Sequence, residues 1–370
     1  MIRSTNDPED RMSGGSPSEP PEALDVTLLS GFRFGCLPGC GLCCFTTPAV
    51  DRLEAERLRS IEPELPLVRG PGQNLVVGSR PRGGACFFLT SASCRCHSSR
   101  PFPCAEFPLT VHVGARAQTS VVLSCPGIAL DRLDDWSRGS GVSEPPIGLD
   151  GELVRVRTEL KSAGGQELLS RASERRRALE RRLTRSGLWH VEDDVRRSLR
   201  GNIPLPSSDD FPPTDLPPAS AHLEELPLFH DERRGVVALR QHGVGIELFS
   251  LRESGGIDQR FGVYGIPSEP PPMSDDGRRL LLGYLSYCLE RDQTFGAAYA
   301  RLLAGSRAPL VSLVADDLRE IGTQVLTRAL WRRELDGTPS GPILERSHVE
   351  KGIRATDMDF LDRPTAGLRL

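Results

Sequence analysis

CLPGCGLCC, residues 36–44, places four of the chain's ten cysteines within nine positions. Five more follow at Cys86, Cys94, Cys96, Cys104 and Cys125, and only Cys288 lies elsewhere. Residues 1–25 are polar, with no apolar run of the kind that directs secretion, so the chain is expected to be soluble and cytoplasmic. In a reducing compartment, structural disulfides explain so many cysteines poorly, and metal binding explains them better. Thiolates hold Zn2+ in tetrahedral sites and iron in iron–sulfur clusters, four ligands to each. Side chains on neighbouring residues tend to point apart, so Cys43 and Cys44 need not share one ion. Cys36, Cys40, Cys43, Cys44, Cys86, Cys94, Cys104 and Cys125 are therefore the candidate metal ligands, enough for one or two sites holding an iron–sulfur cluster or Zn2+.

The charge pattern supports this reading. No Asp or Glu occurs at positions 26–50, 65–105 or 107–130. The same stretches carry Arg33, Arg69, Arg80, Arg82, Arg95, Arg100 and Arg116. Eight thiolates on two divalent ions leave a residual charge of about −4, which cations and backbone N–H groups must offset. A carboxylate nearby would add to the deficit.

Several of these stretches together carry a resemblance. Cys40-Gly41-Leu42-Cys43-Cys44, Gly84-Ala85-Cys86-Phe87-Phe88-Leu89, Cys94, Arg100-Pro101-Phe102-Pro103-Cys104-Ala105-Glu106-Phe107-Pro108 and Cys125-Pro126-Gly127-Ile128 resemble the YkgJ-type cysteine-cluster family. Its members are described as zinc- or iron-chelating, and its cysteine domain is shared with flagellin lysine N-methylases. The resemblance covers residues 34–127. This chain departs from it in three places. Three residues separate Cys36 from Cys40 where two are common, His97 stands where an aromatic residue is frequent, and Cys96 is extra. Cys96 or His97 could replace an expected ligand. His112 is a further candidate ligand, or part of a strand TVHVGA. Arg100-Pro101 is read as a structural turn.

The rest of the chain bounds the function less tightly. A net charge of −4 gives no general drive toward nucleic acid, and the run ERRRALERRL reads as a solvated helix face. No apolar stretch is long enough to span a bilayer. Of 46 basic residues only Lys161 and Lys351 are lysine, and neither closes a phosphate-binding loop. The predicted fold class is α+β: a loop-rich cysteine domain stabilised by metal, followed by a mostly helical region with a small β-hairpin. Residues 1–25 read as a disordered tail, 26–130 as the cysteine domain and 131–201 as a helical segment. A Pro-rich linker at 202–220 precedes a hairpin and helical domain at 221–345, and 346–370 reads as a tail. Helices are expected at VDRLEAERLRSI, in two stretches after Gln166, from a Ser274 cap onward, at FGAAYARLL, and along an amphipathic stretch from Leu310. The first of the two stretches after Gln166 sets Leu168, Ala172, Leu179 and Leu183 on one face. Cys288 is expected in the core of the Ser274-capped helix.

Two kinds of function remain open. One is a non-catalytic metal-binding module that recruits a protein partner. The other is an iron–sulfur enzyme, a redox protein or a methyltransferase related to the flagellin methylases. Cys36, Cys40 and Cys43 also match the radical-SAM spacing, although no repeated βα pattern follows them. No general base, nucleophile or nucleotide loop can be named from the sequence.

Overall fold

A computed structural model describes residues 24–45, 48–50, 52–69, 75–80, 84–90, 93–113, 117–138, 144–188, 191–213, 216–223, 226–337, 342–362 and 368–369. The expected tail at 1–25 lies almost wholly outside these residues. The fold is α+β, with a loop-rich N-terminal part and a helical remainder.

The N-terminal part is built from short pieces. In chain order these are β1 (Leu24–Asp25), β2 (Ala49–Val50), α1 (Arg52–Ile61), β3 (Leu67–Arg69), β4 (Leu75–Val77), β5 (Leu89–Thr90), β6 (Ser93–Cys94), α2 (Phe102–Glu106), β7 (Leu109–Val113) and β8 (Ala117–Val121). Strands β2, β4 and β3 form a small antiparallel sheet, and β5 pairs with β6. The first predicted helix begins only at Arg52, because Ala49 and Val50 pair with β4. Around this sheet Val50, Ala55, Leu58, Leu65, Val77, Cys86, Phe88 and Cys96 make a small core of their own.

The helical part follows with α3 (Leu133–Ser137), α4 (Asp150–Lys161), α5 (Ala163–Arg185) and α6 (Glu192–Arg200). Next come β9 (Leu228–Asp231), β10 (Gly235–His242), β11 (Gly245–Leu251) and β12 (Ile257–Gly265). The chain then forms α7 (Asp275–Glu290), α8 (Asp292–Leu303), α9 (Leu310–Leu335) and α10 (Arg346–Thr356), and β13 (Leu368–Arg369) pairs back onto β7. Strand β13 completes the sheet β1-β8-β7-β13. The Ser162 hydroxyl accepts from Gly165 N–H at the start of α5, and Ser274 does the same for Gly277 at the start of α7. On α5, Leu169, Ala172 and Leu183 are buried and Leu179 packs beside them; the side chain of Leu168 lies outside the described residues.

Three expectations meet a different structure. The predicted hairpin is there as β10 and β11, with His242 opposite Gly245, but β9 and β12 extend it to a four-stranded antiparallel sheet. Helix α9, read from the sequence as amphipathic, is buried more widely than that: it encloses Asp317, Thr323, Gln324, Arg328 and Arg332 along with its apolar residues. The stretch expected to be a C-terminal tail contains α10, whose Val349 and Ile353 are fully buried.

The largest core runs from Leu28 to Ile353 and takes side chains from both sides of residues 202–220. Ile203 and Leu205 pack against it. Pro206 lies over Gly322 of α9, so this Pro-rich stretch lines one core rather than separating two. No helix among the described residues is long and apolar enough to cross a membrane.

Candidate metal centre

Four short backbone devices bring the cysteines together. First, a turn closed by Cys40 N–H on Leu37 O leads into a 3-10 turn, Leu42–Phe45, that carries Cys43 and Cys44. Leu42 anchors that turn, buried with Val122, Val236 and Met358. Second, Cys86 N–H donates to Cys44 O at 2.6 Å, tying the second cysteine stretch to the first. Leu89 N–H donates to Cys86 O, and β5 then pairs Leu89 with Cys94, which returns the chain to the same place. Third, Pro101 precedes α2, whose Phe102 N–H donates to Glu54 of α1, and this sets Cys104 on a one-turn helix beside the small sheet. Fourth, Gly35 N–H donates to Gly127 O at 3.0 Å, laying the segment that leads to Cys36 against the Cys125 turn. A Cβ at position 127 would stand 2.4 Å from Gly35 O, so only glycine permits this approach.

No disulfide joins any of the ten cysteines. Cys94 Sγ lies 3.5 Å from Cys96 Sγ, and Cys43 is hydrogen-bonded to Cys44. Among the described residues no three Cys, His, Asp or Glu side chains stand close enough together to hold an ion as they are. The thiols do lie within one another's electrostatic reach. Cys40 feels Cys43 and Cys36, and Cys125 feels Cys40 and Cys43. Cys44, Cys86, Cys94, Cys96 and Cys104 form a second group, and Cys43 reaches into it as well, interacting with Cys44, Cys86, Cys94 and Cys104.

The two groups attach to different parts of the fold. Cys86 and Cys96 belong to the small core around β2–β4, with Cys44 and Cys94 packed on it. Cys125 belongs to the large core. Cys40 packs beside Leu42 and Val122, between the two. Adjacent Cys43 and Cys44 thus sit where the two groups meet.

Buried thiols without a cation resist ionisation. Burial pushes Cys40, Cys86 and Cys104 up, and takes Cys125 to about 12. The hydrogen-bonded pairs split: Cys94 falls to about 6, chiefly through the hydrogen bond from Cys96 and then through Arg100 and Arg95, while Cys96 rises. Cys43 falls mainly through its bond with Cys44, with Arg100 adding, and Cys44 rises. The charged side chains that weigh most on these thiols are arginines: Arg80 on Cys86, Arg95 on Cys94, Arg100 on Cys43, Cys94 and Cys104, and Arg354 on Cys125.

These residues fit a thiophilic cation. They are soft donors in a half-buried, arginine-flanked setting, where the thiolate form needs positive charge that arginine only partly supplies. Three of the arginines noted in the sequence, at 80, 95 and 100, take the expected place. Arg354 gave no such signal, because it is 229 residues from Cys125. Cys96 joins the thiols directly. His97 is exposed on a 3-10 turn. His112 is buried on β7 against Thr110 and Gln293, and Cys288 is fully buried in α7.

Residues 35–126 match the model of the CxxCxxCC family, whose description is "Putative zinc- or iron-chelating domain". No curated protein and no solved structure matches the chain. Sulfur donors, arginine countercharge and family match coincide over the same segment, and residues 35–126 are similar to the zinc- or iron-chelating domain of the CxxCxxCC family.

Proposed function

We propose that residues 36–125 hold two thiolate-bound metal centres, one per group of cysteines, and that the ions fasten the loop-rich part to the helical body. Cys44, Cys86, Cys94 and Cys104 form the set beside the small core. Cys36, Cys40, Cys43 and Cys125 form the set closed by Cys125 of the large core. Cys96 stands beside the first set as a ninth thiol. What supports this reading is that Cys125 packs in the large core, Cys86, Cys96, Cys44 and Cys94 pack in or on the small one, and Cys40 lies between them, with eight candidate thiols enough for two four-ligand ions.

Zn2+ or an iron–sulfur cluster would supply the positive charge that the buried thiols lack. The chain's part is to keep carboxylates away, to place Arg80, Arg95, Arg100 and Arg354 near the sulfurs, and to bring distant loops together. A module of this kind presents a metal-fixed surface to a protein partner.

Zinc, iron and acid-labile sulfide counted in anaerobically purified protein test the reading. It expects about two zinc ions per chain, or iron with sulfide and a visible charge-transfer band. A folded protein with neither metal would contradict it.

A further inference from the structure

The turn that carries Cys125 is held by the far end of the chain. Helix α10 lies against α9 at Gly352, where a Cβ would meet Val325 O at 2.3 Å, so the two helices pack at backbone distance. That packing brings Arg354 to the Cys125 turn. One guanidinium nitrogen of Arg354 donates to Cys125 O at 2.7 Å and to Leu123 O at 3.4 Å; the other donates to Ile128 O at 2.9 Å. Glu350, one turn back on α10, accepts from Arg354 at 3.1 Å and steadies it.

The following residues continue the grip. Asp357 Oδ2 accepts from Leu123 N–H at 2.5 Å, while its other oxygen accepts from Tyr284 OH at 3.0 Å and from Arg291. Met358 N–H donates to Ser124 Oγ at 2.6 Å. Leu123, Ser124, Cys125 and Ile128 are thus each bonded to α10 or its C-terminal end. The matched family segment ends at 126, and none of these partners lies within it.

We infer that Arg354 is a positioning residue for the metal centre closed by Cys125: it fixes the turn that aims this sulfur and places a cation beside it. This rests on the two-centre reading above. A fork of donors satisfying three carbonyls of one turn leaves that turn a single arrangement. Its charge also offsets part of the negative charge of four thiolates on one divalent ion. The C-terminal helix thereby supplies an outer layer that the cysteine domain lacks.

The test compares wild type, Arg354→Met, Arg354→Lys and Ser124→Ala, each purified anaerobically. Zinc, iron and sulfide are counted, and alkylation by iodoacetamide is mapped to each cysteine. Arg354→Met should lose about half the metal, with Cys125, Cys40 and Cys36 becoming alkylated while Cys86 and Cys104 stay protected. Arg354→Lys should recover part of the loss, because an ammonium keeps the charge and one carbonyl bond. Wild-type metal and protection in Arg354→Met would overturn the inference, and so would equal exposure of Cys104 and Cys125, which would mean general unfolding. If Arg354→Met fails to fold, Ser124→Ala decides: it should expose Cys125 ahead of Cys104, and unchanged protection would overturn the inference. A wild type that holds no metal would instead contradict the two-centre reading itself.

Discussion

At the scale of single residues, the sulfurs divide under the two-centre proposal into ligands and bystanders. Cys43→Ser and Cys104→Ser should each lower bound metal by about one ion per chain, counted by elemental analysis, since a four-ligand site rarely survives the loss of a thiolate. Cys288→Ser should leave the metal count unchanged, because that thiol is fully enclosed in α7. Gly127→Ala is a sharper test of geometry. Its methyl group would sit 2.4 Å from Gly35 O and push the segment that leads to Cys36 off the Cys125 turn. It should expose Cys36 and Cys125 to alkylation and leave Cys86 protected. Most of the proposed site can be read from residue identity and spacing, because cysteines without nearby acids are conspicuous in a sequence. Gly127 is visible there only as part of a CPG triplet; what it touches is not. Arg354 is hidden for a different reason. It reaches the Cys125 turn from the other end of the chain, and an arginine is unremarkable where nearly all basic residues are arginine.

At the scale of elements, buried polar contacts join the sheet β9–β12 to α9. Asp231 at the end of β9 forms an ion pair with Arg332 at 2.8 Å, and its other oxygen accepts from Arg233 N–H and Arg234 N–H at 2.9 Å each. Burial alone would raise this carboxyl, but Arg332, the two N–H groups and Arg234 hold it below its ordinary value. The unfolded chain therefore binds a proton more readily here than the folded one. The stabilisation is complete above the ordinary Asp value of about 3.9 and is lost as pH falls through the lower folded value. Denaturant titration should show wild-type stability dropping as pH falls below about 4, with a shallower drop in Asp231→Asn. At neutral pH that variant should cost about 3 kcal/mol, since it leaves Arg332 buried without its partner charge. An equal acid slope in both proteins would remove Asp231 from this role. The α7 cap and the β10–β11 turn are legible because Ser274 and the Gly243-Val244 pair are local signals. Strands β9 and β12 are not. The first is four residues long, and the second is an edge strand that leaves most of its side chains in solvent, so neither shows an apolar period of two.

At the scale of the whole molecule, a small cysteine unit with its own slight core is attached to a large body. Besides the α10 clamp, Ala85 N–H and Arg80 reach Glu253 O on the turn before β12. The small unit is short of apolar area, so metal should supply much of its stability. Chelation is expected to raise hydrogen exchange first across residues 75–104, with α7 and α9 still protected; a uniform rise would mean that metal holds the whole molecule. The fold class is legible from the cysteine-dense start and the helical periods that follow. The organisation is less so: proline-rich residues 202–220 have the composition of a linker, yet Ile203, Leu205 and Pro206 lie against the large core. Composition records what the backbone avoids, and says little about the surface on which it rests. The most direct test of the account is the metal and sulfide content of anaerobically purified protein, read with its visible spectrum and with the Cys43→Ser and Cys104→Ser variants beside it. The account predicts about two four-thiolate centres per wild-type chain and a loss in each variant. A well-folded wild type free of zinc and iron, or variants with undiminished metal, would contradict it.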